Sequence, residues 1–131
     1  MGGVKGGVTQ SWCVGLGLML CFCFLINQID VVESTTYNVG DKLGWGFNVS
    51  AWPSGKSFKA GDELVFRYLP GFHDVMVVDA DGYNKCRTTP GSKVYFSGND
   101  TITLLEGDNF FICSFPDHCT IMNMKIAVHA A

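Results

Sequence analysis

The sequence has few charged residues and no long helical pattern. Only 16% of its 131 residues are charged, and the net charge of −3 leaves no basic surface for phosphates. Nucleic acid is therefore excluded as the main partner. Apolar residues make up 47% of the chain, too many for an intrinsically disordered protein. The length allows one folded domain beside a processed segment, which excludes a large multidomain enzyme.

A short uncharged run near the N-terminus indicates a secretory signal peptide. The run covers residues 12–26 and follows Lys5, the one charged residue before it. As a helix it would be about 22 Å long, shorter than the roughly 30 Å hydrocarbon core of a membrane, which favours a signal peptide over a membrane anchor. We expect cleavage near Ser34, so that residues 1–34 are removed. Residues 35–131 would then form a secreted, extracellular domain without membrane association.

Glycosylation triplets and cysteines fit an extracellular location. Asn48 and Asn99 each begin an Asn-X-Ser/Thr triplet without proline, so both are candidate N-glycosylation sites. Three cysteines lie beyond the predicted cleavage point: Cys86, Cys113 and Cys119. In an oxidising compartment two of them can pair, and the third must be a free thiol, an intermolecular partner or a metal ligand.

Turn residues at short intervals divide residues 35–131 into short strand-like runs. The runs are rich in β-branched and aromatic residues and cover 64–68, 75–78, 101–105, 110–115 and 125–129. Strands of this length between turns such as Asp81-Gly82 predict a β-sandwich or barrel with at most short helices. Alternation at the end of the chain predicts that Met124, Ile126 and Val128 share one face, directed to the core.

Side chains that bind metals cluster toward the C-terminus. Cys113 and His118 are separated by four residues that include a proline, Met122 and Met124 follow, and His73 lies upstream between two strand-like runs. One thiolate, two imidazoles and a weak thioether suit copper in both of its oxidation states. Two histidines and a cysteine near a trigonal plane, with a long axial methionine, form a blue-copper electron-transfer site.

Other interpretations explain the same residues one at a time. Cys113 and His118 as nucleophile and base would lack a third group, and a free thiol would oxidise outside the cell. A structural zinc site would prefer more thiolates or closed tetrahedral ligation. Methionines are more often core residues than ligands, and a lone histidine such as His73 is more often a surface residue. Only the combination of these residues favours copper.

The chain resembles the phytocyanins, a family of blue copper proteins, and within it the plantacyanins or basic blue proteins. The resemblance covers nearly all of residues 35–131. It rests on segments 39–41, 44–45, 48–53, 58–62, 64–66, 72–78, 82–86, 110–119 and 124–128. It implies a cupredoxin-like Greek-key β-sandwich of seven or eight strands.

The resemblance also implies a set of ligands. His73 and His118 correspond to the two imidazole ligands, Cys113 to the thiolate and Met124 to the axial thioether of one type 1 copper ion. Cys86 and Cys119 correspond to the family's disulfide, which would contribute roughly 4 kcal/mol on the chain-entropy model.

Two positions depart from the family pattern. Asp117 stands where the family usually has glycine, and it adds a carboxylate beside His118 that would stabilise the oxidised, more positive site. The spacing from His118 to Met124 is one residue longer than usual. The alternatives to Met124 are therefore Met122, the side-chain oxygen of Asn123 or no axial ligand, although the strand register favours Met124.

The expected function is one-electron transfer between Cu(II) and Cu(I) by a monomer that is secreted to the apoplast or cell wall and is not an enzyme. Its redox partner, a small molecule or a protein, is not identified by the sequence. The alternative is an extracellular cell-wall interaction or signalling module on the same scaffold, with copper of little importance. The presence of His73, Cys113 and His118 favours electron transfer. An oxidase would need further copper centres, for which too few histidines remain.

Overall fold

The computed structural model describes residues 10–13, 21–24 and 33–131. The chain divides into two compact units, Met1–Glu33 and Ser34–Ala131. Most of the predicted signal peptide lies outside the described residues, so its cleavage near the start of the second unit stays a prediction.

Two short strands are described in the first unit. Strands β1 (Gln10–Cys13) and β2 (Cys21–Phe24) pair in antiparallel orientation. In the described part of the chain, no helix is both long and apolar enough to cross a membrane.

The second unit contains two sheets. Its strands are β3 (Thr36–Asn38), β4 (Glu63–Arg67), β5 (Val75–Val78), β6 (Lys93–Tyr95), β7 (Asn99–Thr103), β8 (Gly107–Ile112) and β9 (Lys125–Ala130). One sheet has the order β3-β4-β7, with β3 parallel to β4, and the other is antiparallel with the order β6-β5-β8-β9. The chain changes sheet after β4, β6 and β7, so both sheets depend on distant pairings. The predicted β-sandwich is confirmed.

Large apolar side chains from both sheets meet in one core. Phe66 of β4 and Phe111 of β8 have ring centroids 5.1 Å apart, which links the two sheets. Trp45 packs edge-on against Phe66, also at 5.1 Å. The indole Nε1 of Trp45 donates a hydrogen bond of 2.8 Å to the backbone oxygen of Asp74. The core therefore also fixes the loop that carries His73.

The last strand has the predicted orientation, whereas β7 differs from the predicted run. Met124, Ile126 and Val128 are all buried. We predicted a strand at 101–105, but β7 begins two residues earlier, at Asn99. The physical reason is pairing with β4, because the backbone ladder extends to the Asn99–Arg67 pair even though turn residues are poor strand formers.

The predicted turn at Asp81-Gly82 lies within a short helix, α1 (Ala80–Lys85). The helix begins there because the carboxylate of Asp79 accepts a hydrogen bond of 2.8 Å from the backbone N–H of Gly82. A Cβ atom at Gly82 would lie 2.8 Å from the Cβ of Val78, so only glycine allows the helix to approach the sheet this closely. A 3₁₀ helix at Asp41–Leu43 has only three residues.

Helix α1 covers a second cluster on the outer face of the four-stranded sheet. The cluster contains Met76, Val78, Ile112 and Cys119, with Tyr83, Cys86 and Phe110 packed against it. Cys86 follows α1 in a left-handed conformation, with φ of 49°, and forms the disulfide with Cys119. The predicted disulfide is confirmed, and it joins the residue after His118 to the end of the helix.

A buried carboxylate, Asp62, holds the beginning of the sandwich together. Its Oδ1 and Oδ2 accept hydrogen bonds of 2.9 Å from the backbone N–H groups of Thr35 and Lys59. The ammonium of Lys59 lies 3.7 Å from Oδ1. Burial alone would raise the pKa of Asp62, but the two backbone hydrogen bonds and the ammonium outweigh it, so this pKa lies below its usual value.

We expect Asp62→Asn to lower the free energy of unfolding at pH 7 by on the order of 1–3 kcal/mol. Because the pKa of Asp62 is lower in the folded chain, its ionised form stabilises the fold above the ordinary aspartate pKa, and this contribution is lost as the pH falls through the folded value. Denaturant unfolding measures the free energy of unfolding at pH 7 and at pH 3. The decrease from pH 7 to pH 3 should be smaller in the variant than in the wild type. The exposed Glu106→Gln serves as the control, and equal losses in Asp62→Asn and the wild type would contradict the assignment.

Candidate metal centre

The structure brings three of the predicted ligands together at one end of the sandwich. His73 lies just before β5, Cys113 just after β8, and His118 in the connection from β8 to β9. Their ligand atoms all lie within 4.8 Å of one another. The Nδ1 atoms of the two imidazoles are 3.1 Å apart, and Nδ1 of His118 is 3.4 Å from Sγ of Cys113. The upstream histidine is thus within reach of the thiol and the second imidazole.

These distances fit ligands of a single metal ion. Two atoms that each lie about 2 Å from an ion, at an angle near 110°, are about 3.3 Å apart. A soft sulfur and two imidazole nitrogens form the donor set that selects copper over hard, oxygen-bound cations. The chemistry of the donors and their spacing therefore fit one copper ion held by His73, Cys113 and His118.

The backbone of Met124 forms hydrogen bonds with two of these ligand residues. Its backbone N–H donates a hydrogen bond of 2.9 Å to the oxygen of His118, and its own oxygen accepts one of 3.0 Å from the N–H of Cys113. The Met124 side chain is fully buried in the core cluster that also contains Cys113. Met122 is half-buried, and Asn123 is exposed. This arrangement favours Met124 as the fourth ligand.

Two residues of the ligand loop have a left-handed backbone conformation, one at each end of the segment whose length departs from the family pattern. Asp117 has a φ of 67°, and Asn123, directly before Met124, has a φ of 50°. Aspartate and asparagine tolerate this region better than other residues with a side chain. The backbone oxygen of Asp117 accepts hydrogen bonds of 3.0 and 3.1 Å from the backbone N–H groups of Ile121 and Met122. The ligand loop thus makes turns that suit glycine without containing one.

Asp74, which was assigned no role from the sequence, connects the segment that carries His73 to the segment that carries Cys113. Its Oδ1 accepts a hydrogen bond of 2.7 Å from the backbone N–H of Ser114, and its Oδ2 accepts one from the Ser114 hydroxyl. Asp74 is only 5% exposed. The carboxylate therefore joins the residue after His73 to the residue after Cys113. A charged residue directly before the apolar run 75–78 was the one signal in the sequence.

The surroundings shift the pKa values of two predicted ligands. Burial raises the pKa of the Cys113 thiol, and the negative charge of Asp74 adds to this, while backbone hydrogen bonds from Asp74 and Phe115 act in the opposite direction. Burial and the neighbouring His118 lower the pKa of His73, against the effect of Asp74. The lowered pKa favours the neutral form of the His73 imidazole, which is the form that binds a metal, and metal binding would displace the thiol proton of Cys113.

Aromatic side chains surround the imidazoles, and Phe47 is a contact that sequence reasoning missed. Its ring meets the His73 ring at a centroid distance of 5.4 Å and the His118 ring at 4.9 Å, both nearly perpendicular. Phe115 stacks on His118 at 5.7 Å. Phe47 is 46% exposed, whereas Cys113 is fully buried. The Cys113 sulfur is therefore shielded from water, whereas the two imidazoles lie near the surface in contact with aromatic rings.

We expect Asp74→Ala to destabilise the metal-free protein by on the order of 3 kcal/mol, because it removes both hydrogen bonds to Ser114 and leaves the N–H without its partner. Ser114→Ala should cost on the order of 1 kcal/mol, because the bond from the backbone N–H remains. Denaturant unfolding measures both values. Should Asp74→Ala fail to fold, Asp74→Asn gives the comparison. Equal stability of the Asp74 variants and the wild type would show that the hydrogen bonds between Asp74 and Ser114 do not hold the site together.

Comparison with known proteins agrees with this geometry. A family model described as a plastocyanin-like domain matches residues 45–123. A basic blue protein of Arabidopsis thaliana is 49% identical over 96% of this chain and 98% of its own, and a chemocyanin of Lilium longiflorum is 53% identical over 97% and 98%. The solved structure of cucumber basic protein, a blue copper protein, has 50% identity and a TM-score of 0.72, covering 74% of this chain and 100% of its own. The chain therefore belongs to the phytocyanins, blue copper proteins with a plastocyanin-like domain and a cupredoxin-like fold.

Proposed function

We propose that the protein is a secreted electron carrier with one type 1 copper ion bound by His73, Cys113, His118 and Met124. The observation that carries the proposal is the approach of His73, from a distant part of the chain, to Cys113 and His118 within 4.8 Å. When bound, copper supplies the exchange of one electron between its cupric and cuprous states.

The chain's own residues hold the ligands still and keep water from the sulfur. Asp74 and Ser114 connect the segments that carry His73 and Cys113. The buried Cys113 sulfur is shielded by the core, whereas the imidazole edges lie close to the surface. An imidazole edge would therefore be the route for electrons, and the fixed ligand positions would limit rearrangement during each transfer.

The same burial argues against an enzyme that uses Cys113 as a nucleophile. A nucleophilic thiol needs access to its substrate and a lowered pKa. The Cys113 thiol is fully buried, and burial raises its pKa.

We propose instead a monomer that meets an unidentified redox partner outside the cell. The Cys86–Cys119 disulfide supports an oxidising compartment.

Copper loading tests the proposal directly. We expect the loaded wild type to bind about one copper ion per chain and to absorb visible light intensely, because the cysteine thiolate is covalently bound to the ion. Cys113→Ser should abolish the colour, since serine supplies no sulfur. Absorption spectra with copper analysis measure this. A loaded but colourless wild type would reject the blue site, and a chain that retains no copper would favour the interaction or signalling module.

Replacing each methionine identifies the axial ligand. Met124→Leu and Met122→Leu keep the side-chain volume, and each should cost less than about 1.5 kcal/mol of stability. We expect Met124→Leu to raise the reduction potential, because a thioether donor that stabilises the cupric state is removed. Met122→Leu should leave the potential and the electron spin resonance spectrum unchanged. The reverse result would make Met122 the ligand.

A further inference from the structure

We propose that Asn48 carries an N-linked glycan at the rim of the metal centre and that this glycan limits which redox partners reach the imidazoles. The inference rests on the proposed function, because it needs both secretion and electron exchange at this site. It goes beyond that function by adding a modification that selects between small and large partners.

Asn48 follows directly after the aromatic residue that covers the imidazoles. Phe47 contacts the rings of both His73 and His118. The backbone N–H of Asn48 donates a hydrogen bond of 2.8 Å to the oxygen of Met122, which lies in the ligand loop. Any group attached to Asn48 is therefore anchored beside the surface through which electrons pass.

The local structure suits a glycan acceptor. Asn48 and Ser50, the first and third residues of the triplet, are exposed, whereas Val49 between them is buried and anchors the turn. Asn48 has a φ of 58°, typical of a turn residue. A bulky, hydrophilic group at this position is accommodated in solvent without displacing the core.

The attachment is a substitution at an anomeric carbon. The side-chain nitrogen Nδ2 of Asn48 forms a bond to C1 of an oligosaccharide carried on a lipid diphosphate, the donor in the secretory pathway. The bond from C1 to the diphosphate oxygen breaks, the lipid diphosphate leaves, and the amide loses one proton. No electrons are gained or lost overall.

The second triplet provides a matched control. Asn99 is exposed at the beginning of β7, where it is paired with Arg67 in the three-stranded sheet. The backbone N–H of Asn99 donates to the Ser97 hydroxyl. Among the described residues, neither imidazole has Asn99 as a ring neighbour or hydrogen-bond partner. Asn99 follows Gly98, where a Cβ would lie 2.9 Å from Pro70, and Pro70 is bridged to His73. A glycan at Asn99 would thus begin near the backbone of the His73 loop, but it would not be attached next to Phe47, the residue that contacts both imidazole rings. We therefore expect it to obstruct the imidazole edges less than a glycan at Asn48.

The glycan acts by size. A protein partner must bring its own redox centre close to an imidazole edge, and its docking depends on a specific patch being open. A small inorganic complex needs far less space. A bulky group beside Phe47 therefore slows exchange with a protein more than exchange with a small complex.

The test uses the full chain secreted from plant cells, with peptide mapping by mass spectrometry before and after glycan release. We expect a glycan on Asn48 in the wild type and none in Ser50→Ala, which removes the acceptor triplet but keeps Asn48. Asn48→Gln is the second variant, and Thr101→Ala removes only the Asn99 triplet.

The copper-loaded proteins are then compared in stopped-flow electron exchange with cytochrome c and with ferricyanide. We expect Ser50→Ala to react about tenfold faster than the wild type with cytochrome c, since protein docking is the obstructed step, and to change by less than about twofold with ferricyanide. Thr101→Ala should speed the reaction with cytochrome c less than Ser50→Ala does, and it should leave the reaction with ferricyanide within about twofold of the wild type.

The proposal is overturned if Asn48 is unmodified in the secreted wild type, or if Ser50→Ala is no faster than the wild type with cytochrome c. A wild type without visible absorption and without exchange with either reagent overturns the proposed function, and with it the control of access. The peptide map distinguishes these failures, because it reports the state of Asn48 whether or not copper is bound.

Discussion

The metal centre depends on the pairing of β5 with β8. In this antiparallel pair Met76 lies opposite Ile112, and the hydrogen bond from Ser114 to Asp74 continues the same register beyond the ends of both strands. This register sets the segment that carries His73 beside the segment that carries Cys113. A slip of one residue would turn every side chain of one strand to the opposite face and separate the two ligands.

The ligand loop is held by a disulfide and by two left-handed turns. The disulfide of Cys119 anchors the residue after His118 to the end of α1. The left-handed turns at Asp117 and Asn123 then return the chain to β9, so that Met124 enters the core. Because the disulfide and these turns restrict the loop, metal binding would have little conformational entropy to overcome.

The site separates a dry interior from an accessible edge. The sulfur of Cys113 is fully buried, whereas Phe47, which contacts both imidazoles, is partly exposed to solvent. Burial shields the Cys113 sulfur from water, whereas the imidazoles are the ligands nearest the surface. In the proposed function a partner would approach this edge, so the residues around Phe47 would influence its access, and Asn48 is the next residue in the chain.

Sequence alone determined what depends on local pattern and on the chemistry of single residues: a sandwich of short strands, the inward face of Met124, and the donor types that suit copper. The Cys86–Cys119 pairing followed from family resemblance. Only the tertiary structure decided that Asp74 clamps Ser114, that Phe47 covers both imidazoles, and that α1 replaces a turn. Alternation and ligand chemistry act over a few residues, whereas these contacts arise from burial and from strand register between segments that are far apart in the chain.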